Sequence, residues 1–207
     1  MLATVDGRGR GHEAGGIDLL LVCTGNICRS PMAEGLLGHR LKTCGIDAHV
    51  QSAGLLTDGA PASGNGIAVL RDDYGIDVRG HRSRLLDVSM VESADLIVAM
   101  ARAHVHTVAR EQPEAFGRAF TLKELVRRAS EIGIRGSDDA LASWLARLHD
   151  GRRLEDLRGV SPADDVADPI GQDTDVYRST AAELHQLIER LVDAVWGHDP
   201  RTRAQPA

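Results

Sequence analysis

The sequence predicts an α/β protein on a parallel sheet, and three observations carry that prediction. Short apolar runs recur at residues 17–22, 48–52, 95–100 and 118–122, each the length of a buried strand. Helical patterns separate them. The clearest is a stripe near the C-terminus, formed by Leu184, Leu187, Ile188, Leu191, Val192 and Val195. Strands alternating with helices imply βαβ units and right-handed crossovers. The expected architecture is therefore three-layered, a four-stranded parallel sheet flanked by helices.

Residues 1–16 read as a flexible leader, Gly-rich from 7 to 16 and without the apolar middle of a signal peptide. The first strand runs directly into Cys23. Ser30-Pro31 reads as a helix start, with Ser30 as N-cap and Pro31 at the first helical position. Met32, Leu36, Leu37 and Leu41 share one face of that helix, and Gly45 closes it. Ala53-Gly54 reads as a turn after the second strand, and residues 62–75 as a helix. Residues 123–167 read as an inserted helical arm, with Leu141, Leu145 and Leu148 on one face, and not as a second domain. The stretch turns acidic at Asp164-Asp165, expected to be solvated loop charge. The domain is expected to span 17–197, leaving 198–207 as a polar tail.

The bulk properties exclude several classes of function. A chain of 207 residues with 43% hydrophobic and 26% charged residues is that of a globular protein, with no sign of disorder or a fibrous repeat. The formal net charge of −6, with no run of Lys and Arg, argues against nucleic acid as partner. No apolar run approaches the roughly 20 residues that cross a bilayer, so no membrane partner is expected. Three cysteines do not make a disulfide scaffold. Free thiols in a reducing cytoplasm are the expectation.

The chemistry concentrates in Cys23-Thr-Gly-Asn-Ile-Cys-Arg29. This loop lies at the carboxyl end of the first strand, just before a helix, where ligands bind in open α/β sheets. Backbone N–H groups of such a loop can converge on one centre, and a helix N-terminus adds to the field. A phosphate dianion suits that nest, and such fields favour thiolate nucleophiles in general. Arg29 supplies a planar fork for two phosphate oxygens. Gly25 and Asn26 tolerate the left-handed backbone of a tight loop. A Walker loop is excluded because its Gly-Lys-Ser/Thr ending is missing. A zinc site is disfavoured, since Cys23 and Cys28 lack further ligands at metal spacing. His104 and His106 alternate without a carboxylate cluster and read as surface residues. No metal and no cofactor are expected.

The segment Val22-Cys-Thr-Gly-Asn-Ile-Cys-Arg-Ser-Pro31 resembles the active-site signature of the low-molecular-weight protein tyrosine phosphatases. Ser52-Ala53-Gly54, Gly80-His81-Arg82-Ser83-Arg84 and Asp168-Pro169 resemble further segments of that family, in order. The resemblance covers about residues 17–122 and 164–197. It implies that Cys23 is the nucleophile forming a phosphocysteine, that Arg29 clamps the phosphate, and that Asp168 is the general acid. It implies a phosphate-binding loop of Thr24, Gly25, Asn26, Ile27, Cys28 and Arg29, supported by Ser30, Ser52 and His81. Cys28 is then a packing residue or a redox partner of Cys23. Tyr177, beyond the Asp168 loop, reads as helix packing, with a ring for the pocket as the alternative.

The implied activity is hydrolysis of phosphate monoesters, with a phosphotyrosyl protein as substrate and a cognate tyrosine kinase as partner. Two features depart from the family pattern. Aromatic residues that wall the phosphotyrosyl ring are absent: Leu55-Leu56-Thr57-Asp58 follows Gly54, and Ile170-Gly171 follows Asp168-Pro169. The helical insertion precedes the general-acid loop. Ile27 matches the tyrosine-directed members, whereas phosphoarginine-directed relatives carry Thr there. Two alternatives stay open at this level. One is an arsenate reductase on the same scaffold; the other is a phosphate-binding module without turnover.

Overall fold

A computed structural model describes residues 16–197. The expected leader, Gly16 apart, and the expected tail from 198 onward lie outside the described residues. The strands are β1 (Ile17–Cys23), β2 (Ala48–Gly54), β3 (Leu96–Ala99) and β4 (Ala119–Thr121). The helices are α1 (Arg29–Thr43), α2 (Gly64–Tyr74), α3 (Val88–Ser93), α4 (Arg102–Glu111), α5 (Leu122–Ile132), α6 (Leu141–His149) and α7 (Thr174–Trp196). All strand pairings are parallel, in the order β2-β1-β3-β4.

The apolar run of β1 follows from burial on both faces. Leu19 and Leu21 pack into one cluster with α1, α2, α5, α6 and α7. Leu20 and Val22 pack into a second with α3 and α4. A strand covered on both sides has no use for alternating polarity. The chain leaves β1 through α1 to reach β2 on one side, then returns to β3 on the other. Strand order reverses at β1, and a crevice opens beyond its carboxyl end.

Three local expectations are corrected. Ala53 and Gly54 continue β2, pairing with Val22 and Cys23, and do not form a turn. The glycine is needed for a different reason. A Cβ at Gly54 would lie 2.7 Å from Asn26 N and 2.9 Å from Gly25 C, so only glycine lets β2 run beside the loop. Second, α1 starts at Arg29, with Cys28 in the N-cap position and no side-chain cap. Ser30 sits inside the first turn, its hydroxyl drawn to Cys23 and Asn26. Third, α3 was not expected. It spans six residues, too few to show a period, and is capped by Asp87 accepting from Met90 N.

The stretch from 123 to 167 does not stand off the sheet. Trp144, Leu145 and Leu148 of α6 are buried in the same cluster as Leu19 and Phe120. Trp144 Nε1 donates to the Gly133 carbonyl at 3.0 Å, so the ring is buried without leaving its N–H unpaired. Arg152 lies 3.9 Å over the Phe120 ring and donates to Glu124 at 2.7 Å, which pins the chain after α6 to β4 and α5. Removing the Trp144 side chain tests this packing. Trp144→Ala is expected to lower the unfolding free energy by about 3–5 kcal/mol in urea denaturation. A loss below about 1 kcal/mol would show that α6 lies outside the cooperative core.

Candidate active site

The loop from Cys23 to α1 closes around the sulfur of Cys23. Asn26 N donates to Cys23 Sγ at 3.2 Å, and Ser30 Oγ lies 3.0 Å from the same atom. Asn26 adopts φ 51°, the left-handed conformation that turns the loop inward. The uncapped N-terminus of α1 directs its first-turn N–H groups at the same region.

Asn26 is fully buried and joins its loop to α1, to β2 and to the segment 81–84. Its Nδ2 donates to Ser30 Oγ at 2.8 Å and to Ser52 Oγ at 2.7 Å. Its Oδ1 accepts from Arg84 N at 2.9 Å. Its backbone carbonyl lies 2.8 Å from His81 Nε2. Ser52 Oγ donates on to Glu34 at 2.5 Å, and Arg84 Nη2 donates to the Ser52 carbonyl. Ser52, His81 and Arg84 thus meet at one residue. Glu34 was not singled out from sequence.

Arg29 forms the other wall. Its Nη2 donates to the Asp168 carboxylate and, at 3.1 Å, to Thr24 Oγ1. Its Nη1 donates to the Val166 carbonyl at 3.2 Å. Nε is buried and has no hydrogen-bond partner among the described residues. The Asp168 segment is anchored from below. Asp164 is buried, not solvated as expected, and accepts from Arg102 Nε and Arg127 Nη1, both at 2.6 Å. Burial works against its ionisation, yet the two guanidinium groups hold its carboxyl below the usual range. Asp165 accepts from Arg102 N at 2.8 Å, and Val166 N donates to the Met100 carbonyl.

A cavity of 170 Å³ lies over this centre, lined by Cys23, Thr24, Gly25, Ile27, Cys28 and Arg29 on the loop side. Leu56, Thr57, Asp168 and Ile170 form its mouth, so aliphatic side chains stand where sequence reasoning found no walls. Cys28 Sγ lies 3.2 Å from Tyr177 OH, which gives Tyr177 a polar contact besides its packing role. Burial pushes the Cys28 thiol up, and burial together with the Cys28 contact pushes the Tyr177 hydroxyl to about 12. A larger cleft of 760 Å³ lies at the opposite, amino end of β1, against Ile17 and Asp95, with no cysteine in its lining.

One residue in the site was misread. His104 is not on the surface: it is 4% exposed, and its Nε2 lies 2.9 Å from Thr24 Oγ1. Burial and the Arg29 charge lower its pKa from 6.5 to about 4, while Asp165 and Asp168 oppose the shift. The unfolded chain therefore takes up this proton first as pH falls. Stability from neutral His104 is complete above pH 6.5 and is lost on falling toward pH 4. Between about pH 7 and about pH 4.5, roughly 2–3 kcal/mol should disappear. Denaturation of the wild type and His104→Gln at both pH values checks this. A difference between the two proteins that does not change with pH would refute it.

Comparisons with known proteins agree with this geometry. The family model described as low molecular weight phosphotyrosine protein phosphatase matches residues 18–138. A protein-arginine-phosphatase of Geobacillus stearothermophilus is 33% identical over 84% of this chain and 93% of its own. A probable low molecular weight protein-tyrosine-phosphatase of Ralstonia solanacearum is 38% identical over 52% of this chain and 71% of its own. The crystal structure of a low molecular weight protein tyrosine phosphatase from T. tengcongensis superposes with a TM-score of 0.66. It is 35% identical and covers 86% of this chain and 99% of that one. The matched stretch begins within β1 and takes in the cysteine loop, β2, β3 and β4. This chain therefore belongs to the low molecular weight phosphotyrosine protein phosphatase family and is a cysteine-based phosphatase.

Proposed function

We propose that this phosphatase hydrolyses phosphotyrosine in proteins, with Cys23 as nucleophile, Arg29 as phosphate clamp and Asp168 as general acid. The observation that carries the reading is the setting of Cys23 Sγ. It receives the Asn26 N–H, lies beside the Ser30 hydroxyl, and shares one cavity with Arg29 and Asp168. Ser30 Oγ already accepts from Asn26 Nδ2, which leaves its own proton for the sulfur. Arg29 also carries a buried Nε–H with no hydrogen-bond partner among the described residues, a donor type suited to a phosphate oxygen.

The steps balance as an in-line double displacement. Phosphate entering the nest takes over the Arg29 guanidinium and frees Asp168, which takes up the proton that the Cys23 thiol gives up and faces the leaving oxygen. Sγ bonds to phosphorus, the P–O ester bond breaks, and Asp168 gives its proton to the departing phenol. Asp168 then takes a proton from water as that water attacks phosphorus. The S–P bond breaks, inorganic phosphate leaves, and the sulfur is restored. Loop N–H groups and Arg29 hold the equatorial oxygens in both steps.

Preference for an aryl ester rests on the cavity walls. Ile27 on the loop side and Leu56 and Ile170 at the mouth offer aliphatic contact to a flat ring, in place of the missing aromatic walls. A phosphoarginyl guanidinium would want an acceptor there. Asp168 is the one carboxylate lining the cavity, and it is engaged by Arg29. Relatives named as arginine phosphatases and as tyrosine phosphatases both match this chain, so Ile27 is the residue on which this choice turns. The substrate would be a tyrosine-phosphorylated protein supplied by a tyrosine kinase. The free thiols of Cys23 and Cys28 suit a reducing cytoplasm. Among the described residues no helix is long and apolar enough to cross a membrane.

Aryl phosphate hydrolysis tests the roles. Cys23→Ser should abolish turnover, and Asp168→Asn should lower kcat by about 10²–10⁴-fold. Undiminished activity in Cys23→Ser would end the proposal. For specificity, phosphotyrosyl and phosphoarginyl peptides are compared on the wild type and Ile27→Thr. The wild type should favour phosphotyrosine and the variant should move toward phosphoarginine. A wild type that prefers phosphoarginine would overturn the substrate assignment alone.

A further inference from the structure

Thr24 holds its hydroxyl between two nitrogen atoms from different elements. Arg29 Nη2 donates to Oγ1 at 3.1 Å, and His104 Nε2, reaching in from α4, lies 2.9 Å away on another side. The second ring nitrogen of His104, Nδ1, is buried with no hydrogen-bond partner among the described residues. That isolation assigns the tautomer. A buried N–H with no acceptor is the rarer and costlier orphan, so the proton belongs on Nε2 and the bare lone pair on Nδ1. Nε2–H then donates to Thr24. With Arg29 as second donor, both lone pairs of Oγ1 are in use. The hydroxyl's own proton must point elsewhere, and Thr24 lines the same cavity as Cys23.

We propose that His104 is a positioning residue that, through Thr24, turns a hydroxyl donor and steadies Arg29 toward the anion in the nest. Thr24 thereby gives its side-chain proton to a phosphate oxygen. The inference rests on the reading of this nest as the phosphate site. Protonating the ring would place an N–H at Nδ1 with nothing to accept it. It would also set a second cation beside Arg29, with Asp165 and Asp168 opposing it. Neutral His104 is the form that fits.

The test is calorimetric titration with inorganic phosphate alongside steady-state hydrolysis of an aryl phosphate. His104→Leu is expected to weaken phosphate binding by about tenfold and lower kcat/KM to match, the size of one hydrogen bond to a charged group. His104→Gln can present an N–H near the Nε2 position and should restore most of the loss. Thr24→Val should lose as much as His104→Leu, and the double variant should lose no more than Thr24→Val alone. Unchanged phosphate binding in His104→Leu, or losses that add in full, would overturn the inference. If circular dichroism shows His104→Leu unfolded, His104→Gln is compared with His104→Asn, whose amide is too short to reach Thr24. Equal binding by those two would be just as fatal. The arms separate the two claims. A wild type that turns over substrate while binding is indifferent to His104 refutes only this inference. A wild type without turnover refutes the functional reading, and the phosphate titration still decides His104.

Discussion

The buried side chain of Asn26 is the constraint on which the site depends. One amide fixes Ser30 beside the sulfur, Ser52 at the end of β2 and the backbone of Arg84. Asparagine suits the place twice over. It tolerates the left-handed backbone found at φ 51°, and it offers two donors and an acceptor in one plane. Each bond is made away from water, where an unmade one costs the full desolvation of its group. These bonds hold the loop in the shape of a nest from within the protein. Gly54 completes the fit by letting β2 run against the loop at a distance no other residue permits.

The mouth is organised by charges of opposite sign. Arg29 reaches Asp168, Thr24 and the Val166 carbonyl, so the nest and the loop carrying Asp168 meet through one guanidinium. Below it, Asp164 binds Arg102 and Arg127 and ties that loop to α4 and α5. A buried carboxylate with two cations is costly to assemble and costlier to break, and so holds a loop in one place. The helices of the 123–167 stretch serve the same end, since α5 supplies Arg127 and α6 is packed beneath the sheet.

What could be read in the sequence is what local rules determine. The strands were legible because burial on both faces writes an apolar run, and the cysteine loop because its residues are adjacent. His104 and Asp164 were misread because their partners come from elsewhere. Thr24 is 80 positions from His104, and Arg102 is 62 from Asp164. Nothing in the neighbouring residues marks either side chain as buried. Ser30 was read both as an N-cap and as a support of the loop, and only the N-cap failed, for the opposite reason. Its type fits a local rule, the N-cap, but two stronger partners within the loop claim the hydroxyl. Ala53-Gly54 looked like a turn because glycine often is one, whereas here its missing side chain serves a close contact.

The pair between Arg29 and Asp168 bears on which anions the nest would take. Its strongest cation is already neutralised from within, so the resting nest is not a bare positive well. Chloride or bicarbonate, with a single charge, must displace a carboxylate of equal charge and gains little by it. A phosphate dianion brings twice the charge and oxygens enough to engage the guanidinium and the loop together. The internal ion pair thus sets an entry threshold. On the proposed reading it acts as a latch that a single charge gains little by lifting and that a phosphoryl group is suited to open.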